Sequence, residues 1–396
     1  MALKPKDKIS TIEINDDRYS RLELITWWDQ DILKNARILV AGCGALGNEI
    51  VKNLAMLGVG NIYVIDMDKV EKSNLSRSVL FRKEDEGSYK AEVISKRAKE
   101  INDEINIKYF NGNIHNLGLG IFKSFDLIIG GLDNREARLF INQSCWKVNR
   151  PWIDGAIEVL TGVARMFIPP DSACYECTMS ETDYKLINKR MSCMLLGIDE
   201  IVAGKIPTTP TIASIIAGVQ VQEAIKYLHK REDLQLLNGR GFIFNGSIND
   251  SYNIEYQRNE DCPSHYTFEN IHKINKKFDE AKISDVIEFG KNYFKSDDFI
   301  IEFNNEIVSE LTDENKNVVK EYFANLNLMS VKDVKLDDGS LLIYKSFHSF
   351  NAKSEIAKKY YEMKIADFKI PYNDILILRK DGNEIQIELE SIEIFK

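Results

Sequence analysis

The sequence is poor in cysteine, in basic charge and in long apolar runs, and each shortage removes a class of protein. Six cysteines in 396 residues are too few for a disulfide scaffold, so each one is read singly as a ligand, a nucleophile or a packing residue. No apolar stretch approaches the roughly 20 residues that span a bilayer, which argues against membrane insertion. Met1-Ala2-Leu3-Lys4-Pro5-Lys6 is charged but has no apolar segment or small-residue cleavage site behind it, so a cytoplasmic location is expected. Lysine and arginine number 52 against 61 acidic residues, a net charge of −9, and no basic cluster is interleaved with aromatics. Nucleic acid is therefore not an expected partner. Internal repeats and low-complexity tracts are absent too.

What is present is ordinary globular chain, 44% hydrophobic and 29% charged, and long enough for two domains. Arg37-Ile38-Leu39-Val40-Ala41 predicts a buried parallel strand, closed by Gly42 and followed by a helix over about Ala45 to Leu57. Ile62 to Ile65, Ile107 to Phe110 and Leu127 to Ile129 repeat the strand pattern with helical periods between them, as in a doubly wound, Rossmann-like α/β sheet. After Asp154 the segments Gly162 to Phe167, Gly241 to Asn245 and Tyr252 to Tyr256 read as strands without regular intervening helices, which predicts an antiparallel extension. Thr211 to His229 reads as a buried helix with a threonine N-cap just before it. The irregular stretch of about 178–209 ahead of that helix is long enough to be a functional crossover loop. A change in composition past Cys262 places a domain boundary near Thr267. Residues 1–266 form the larger unit and 267–396 a smaller α+β unit, which ends in a hairpin of Ile375 to Leu378 and Ile385 to Leu389.

Gly42-Cys43-Gly44-Ala45-Leu46-Gly47 lies between a predicted strand and a predicted helix, where backbone amides of a glycine-rich turn approach phosphates. Asp66 follows Gly47 by 19 residues, at the end of the next strand, as expected of a carboxylate that accepts ribose hydroxyls. To this point a dinucleotide-dependent dehydrogenase fits equally well.

The readings part at Asp66-Met67-Asp68-Lys69-Val70-Glu71-Lys72-Ser73-Asn74-Leu75-Ser76-Arg77, followed by Lys90 and by Asp133-Asn134-Arg135-Glu136-Ala137-Arg138. These segments, in this order, resemble the ubiquitin-activating enzymes and their bacterial relatives, the thiamine- and molybdopterin-pathway adenylyltransferases, over roughly residues 18 to 265. The resemblance implies an ATP-dependent enzyme that adenylates the C-terminal carboxylate of a ubiquitin-like small protein ending in glycine. Attack of a carboxylate on the α-phosphorus builds charge on phosphoryl oxygens and on departing pyrophosphate, so cations and a metal-binding carboxylate must converge there. By resemblance, Gly42, Gly44 and Gly47 line the phosphates, Asp66 binds the ribose, Asp68 belongs to the ATP and Mg²⁺ site, Asn74 and Arg77 hold phosphates, Lys90 stabilises the transition state, and Asp133 ligates Mg²⁺. Arg21 matches an arginine that the family extends into a neighbouring subunit's ATP site, which implies a homodimer. The other reading of Arg21 is a surface charge.

Cys174-Tyr175-Glu176-Cys177 and Cys262-Pro263-Ser264-His265 are two pairs with ligand spacing. Together they offer a Cys₃His set for structural Zn²⁺. The family usually carries Cys-x-x-Cys in both places, so His265 is a departure, though a chemically permitted one. The competing reading is incidental buried thiols. Of the other cysteines, Cys43 and Cys145 read as packing residues. Cys193, in Lys189-Arg190-Met191-Ser192-Cys193, has cations beside it that favour thiolate. Single-domain relatives place an acceptor cysteine on a loop entering this helix, so the resemblance implies a thioester on Cys193. Without one, the enzyme stops at the acyl-adenylate and passes it to sulfide or another nucleophile. Ile283 to Phe289 and Lys364 to Pro371 resemble segments of the ubiquitin-fold domain that recruits a conjugating enzyme; the alternative is a dimerisation or partner-binding module.

Overall fold

The computed structural model describes residues 17–187, 207–337 and 339–390. Cys193 lies outside the described residues. The first unit is built on eight strands: β1 (Arg37–Ala41), β2 (Asn61–Asp66), β3 (Asn106–Asn111), β4 (Leu127–Gly130), β5 (Trp152–Glu158), β6 (Thr161–Phe167), β7 (Arg240–Asn245) and β8 (Asp250–Glu255). Their order is β3-β2-β1-β4-β5-β6-β7-β8. The pairs from β3 to β5 are parallel, and those from β5 to β8 are antiparallel. The expected doubly wound sheet with an antiparallel extension is therefore what the chain forms.

Alternation along β1 explains the layering. Ile38 and Val40 point to one core, shared with Ile50, Ile94 and Ile216. Leu39 and Ala41 point to the other, with Phe122, Ile141 and Trp146. A strand buried on both faces has to be apolar at every position, which is what this segment is. Helices α1 (Gln30–Asn35), α2 (Ala45–Met56) and α3 (Lys90–Ile101) come early in the chain, and α4 (Leu119–Lys123) and α5 (Arg135–Lys147) flank β4. The helix Pro210–Leu228 is capped by the Thr209 side chain, which accepts from the Ile212 amide, and it starts with proline at its first position.

The second unit has a sheet ordered β11-β10-β13-β14-β9, with β12 also pairing β10. Its strands are β9 (Ile271–Lys277), β10 (Ile300–Thr312), β11 (Val318–Asn325), β12 (Ile343–Asn351), β13 (Ile375–Lys380) and β14 (Asn383–Glu390), with a helix Ile283–Phe294 between the first two. The predicted C-terminal hairpin is β13 and β14, and β14 continues in parallel with β9. This sheet lies against α4 and α5. Ile375 and Ile377 enter the same core as Phe122 and Trp146, each such burial contributing about 1.5–3 kcal/mol. The Leu119 amide donates to Asp374 Oδ1 at 3.1 Å, and Lys123 pairs with Glu388 at 2.7 Å. Contact is close enough that a Cβ on Gly118 would overlap the backbone of residues 372–374. Among the described residues, no helix is long and apolar enough to cross a membrane.

Candidate active site and metal centre

The glycine turn lies where β1 gives way to α2. Gly42 adopts φ +93°, and a Cβ on Gly47 would overlap the Gly42 carbonyl oxygen, so only glycine lets the helix begin this close to the strand end. A Cβ on Gly44 would meet nothing within 4 Å, which leaves open space at the N-terminal end of a twelve-residue helix. Asn48, fully buried, fixes the turn: its Nδ2 donates to the Cys43 and Gly44 carbonyls at 2.9 and 3.0 Å, and its Oδ1 accepts from the Leu80 amide at 2.9 Å. Sequence reading passed over Asn48, since a lone asparagine in a helix carries no signal.

Asp66 stands at the end of β2. Its Oδ2 accepts from the Cys43 amide at 2.7 Å and its Oδ1 from the Asp68 amide at 2.8 Å. Burial raises its pKa, while Lys90 and these two amides pull it back. Lys90 opens α3; its amide donates to the Asp68 carbonyl at 2.9 Å and its Nζ to Asp68 Oδ2 at 2.8 Å. Burial depresses the Lys90 pKa, but Asp66, Asp68 and Asp133 outweigh it and the net shift is upward, so Lys90 stays a cation. Lys90 thus pairs with Asp68 and feels the negative charge of Asp66 and Asp133. Such a site repels a triphosphate unless a divalent cation accompanies it, which fits Mg²⁺ delivered with the nucleotide.

Asp133 is exposed just past β4, and Asn134 caps α5 by accepting from the Ala137 amide at 2.7 Å. The neighbouring Arg135 pairs with Asp183 at 2.7 Å, tying this helix start to the helical stretch 181–187. Two of the expected phosphate ligands are engaged locally. Asn74 is buried with its Oδ1 accepting from the Glu71 amide at 3.0 Å, and Arg77 donates to the Ser73 carbonyl at 2.6 Å. Arg21 is exposed on the turn-rich segment ahead of α1.

The second cluster forms as the ligand spacing predicts. Cys174 Sγ lies 3.6 Å from Cys177 Sγ and 3.6 Å from Cys262 Sγ, Cys177 Sγ lies 3.3 Å from His265 Nε2, and all four atoms fall within 4.8 Å of one another. In a tetrahedral site with Zn–S of about 2.3 Å, sulfur atoms sit about 3.8 Å apart, so the donor set fits zinc in both chemistry and spacing. A hydrogen bond from the Cys174 thiol pulls the Cys177 pKa down to about 4, against burial and helped by the Asn259 amide, so a thiolate is favoured among the ligands. The His265 ring stacks on Trp146 with centroids 5.2 Å apart. Around the pairs, buried Asn142 accepts from the Tyr175 amide at 2.9 Å and from Trp152 Nε1 at 3.2 Å, and donates to Ser264 Oγ at 2.9 Å. Ser264 donates to Glu176 Oε2, and Tyr184 to Glu176 Oε1 at 2.7 Å. Cys43 and Cys145 are buried, and burial raises both thiols, so packing is their role.

Comparison with known proteins gives the family. The ThiF family matches residues 17–264. Ubiquitin-like modifier-activating enzyme 5 of Dictyostelium discoideum is 28% identical over 252 residues, covering 59% of this chain and 64% of that protein. The NEDD8-activating enzyme E1 catalytic subunit of Arabidopsis thaliana is 39% identical over 162 residues, 38% of this chain and 36% of that one. The SAMP-activating enzyme E1 of Haloferax volcanii is 29% identical over 255 residues, 62% of this chain and 87% of that protein. Among solved structures, E. coli MccB with ATP superposes with a TM-score of 0.52 at 28% identity, covering 64% of this chain and 75% of that one. The chain spans less than two thirds of the first two relatives' length, and its last 132 residues lie beyond the family match. Because that match runs unbroken from residue 17 through the glycine turn, Lys90, Asp133 and three of the four clustered ligands, the chain belongs to the ThiF family.

Proposed function

We propose that this protein is an ATP-dependent adenylyltransferase that activates the C-terminal carboxylate of a small ubiquitin-like protein. A carboxylate oxygen of the partner attacks the α-phosphorus, the bond to the β-phosphate breaks, and pyrophosphate leaves with Mg²⁺, giving an acyl-adenylate. The observation that carries this is Lys90, held as a cation among Asp66, Asp68 and Asp133 beside the glycine turn. Asp133 and Asp68 are the carboxylates available to the metal, Lys90 faces the charge that develops on phosphoryl oxygen, and Asp66 receives the ribose. Arg77 and Asn74 join the phosphates by leaving their local partners, and Arg21 acts across a homodimer. The four clustered ligands hold Zn²⁺ with no position left for water, which makes it a structural ion. After adenylation, Cys193 takes the acyl group as a thioester and AMP leaves, and the second unit serves as the docking module for a conjugating enzyme.

A second reading stops at the adenylate and passes it to sulfide or another nucleophile. The test is exchange of labelled pyrophosphate into ATP with the candidate partner, followed by non-reducing gels. Exchange abolished by Lys90→Met or Asp133→Asn supports adenylation, and no exchange with any carboxylate acceptor refutes it. A reducible adduct lost in Cys193→Ala establishes the thioester; full turnover of that variant leaves the second reading.

A further inference from the structure

Asp133 acts only if the short segment that carries it is held still, and the structure shows what holds it. The Gly130 carbonyl accepts from Gln220 Nε2 at 2.8 Å, and the Gly131 amide donates to the Ala41 carbonyl at 2.8 Å. The Leu132 carbonyl accepts from Arg138 Nη2 at 2.5 Å, and the same nitrogen donates to the Gly155 carbonyl on β5 at 3.1 Å. Three successive residues before Asp133 are therefore tethered, each to a different element. Arg138 makes the last and nearest of these bonds.

The same guanidinium lies beside Asp154, which is wholly buried, with Arg138 Nε 3.1 Å from Asp154 Oδ1. That contact is an ion pair without hydrogen-bond alignment, since both atoms lack a hydrogen-bond partner. Asp154 already has a better partner. Arg165 directs Nε and Nη2 at its other oxygen, at 2.9 and 2.5 Å, and packs over the Tyr175 ring. A second buried guanidinium is not needed to neutralise one carboxylate, and an excess buried cation is costly unless dipoles receive it. Carbonyl oxygens of Leu132 and Gly155 are those dipoles, so Arg138 is aimed at the backbone and Asp154 anchors it from behind.

We infer that Arg138 is a positioning residue, which sets the metal-binding carboxylate of Asp133 by clamping the Leu132 carbonyl to β5. This rests on the adenylation reading only in assigning Mg²⁺ to Asp133. Arg138→Lys keeps a cation in the site, but its single ammonium cannot face Asp154 and hold the two carbonyls at once, as the separate Nε and Nη2 of the planar fork do. Calorimetric titration with ATP, with and without Mg²⁺, needs no acceptor and no turnover. The wild type is expected to bind ATP more tightly with Mg²⁺, and Arg138→Lys to lose about 10- to 100-fold of that enhancement, as outer-sphere metal partners do. Its metal-free ATP affinity and melting temperature should stay near wild type. Arg138→Met should lose the enhancement as well. An unchanged enhancement in Arg138→Lys overturns the inference, as does an equal loss of affinity with and without Mg²⁺, or a wild type indifferent to Mg²⁺. Pyrophosphate exchange run in parallel separates the two ideas: a wild type that shows the Mg²⁺ enhancement but exchanges nothing sinks the adenylation reading alone.

Discussion

Removing the metal from the Cys174, Cys177, Cys262 and His265 cluster should destabilise the protein by an amount set by the loop it closes. The two pairs are separated by 88 residues, from Cys174 to Cys262, and the intervening chain contains the helix Pro210–Leu228 and both β7 and β8. Treating the cluster as a cross-link, chain entropy for a loop of that length comes to about 4–5 kcal/mol at 25 °C. At about 2–4 °C per kcal/mol for a domain of this size, the melting temperature should fall by roughly 8–20 °C. The assay is metal release detected with a chromogenic chelator on thiol modification, paired with thermal unfolding before and after exhaustive chelation. One equivalent of zinc per chain is expected. His265→Cys, which completes four thiolates, should keep both metal and stability, whereas Cys262→Ser should lose both. A protein purified without zinc that melts at the same temperature in chelator would refute the reasoning, because the two pairs would then be held by packing around Asn142 alone.

Lys90→Met should lower the exchange rate by about 10²–10³-fold, with a smaller loss of nucleotide affinity by calorimetry; a rate within a few-fold of wild type would remove Lys90 from the chemistry. Gly47→Ala forces a Cβ into the Gly42 carbonyl, so it should cost about 1–3 kcal/mol in denaturant unfolding and weaken ATP binding; unchanged binding would show that the turn yields. His115 is buried and its pKa is pushed down to about 4 by burial. Between that value and the ordinary 6.5 the unfolded chain takes up a proton that the native state refuses, so stability should decline as pH falls through this window. The loss reaches about 3 kcal/mol by pH 4. In His115→Phe the stability–pH profile should lose this component, and an unaltered profile would count against it.

How much of this was legible in the sequence depended on whether the signal was local. The glycine turn, Asp66 and the ligand pairs are short patterns whose geometry is decided within a turn or two of chain, and they fold as read. Asn48, Arg138 and Gln220 each also bond a backbone group distant in sequence, at Leu80, Gly155 and Gly130, and those partners come close only in the fold, so nothing in their neighbourhoods marks them, even though Arg138 stands inside a recognised segment. The way the second unit attaches was missed for a different reason. Ile375-Leu376-Ile377-Leu378 reads as a hairpin strand, yet it is apolar at every position, which a strand with one solvated face has no need to be. Leu376 and Leu378 fill the second unit's own core, while Ile375 and Ile377 face the other way, into the core around Trp146.

On β14 the same split explains two buried polar side chains. Ile385, Ile387 and Leu389 serve the second unit's core, whereas on the opposite face Gln386 accepts from the Asn270 amide at 3.1 Å and Glu388 pairs with Lys123 of α4. The hairpin is thus a shared wall, and α5 is held at both ends. Its first turn follows Asp133 directly, and its last residue, Lys147, donates to Asn304 of β10 at 2.9 Å. Burial pulls the Lys147 pKa down while Asp374, Glu302 and Glu384 push it back up, so that contact is a desolvated one whose acidic neighbours all belong to the second unit. The helix that starts just past Asp133 is therefore braced at its far end by residues beyond the family match, so the second unit bears on the rigidity of the proposed site.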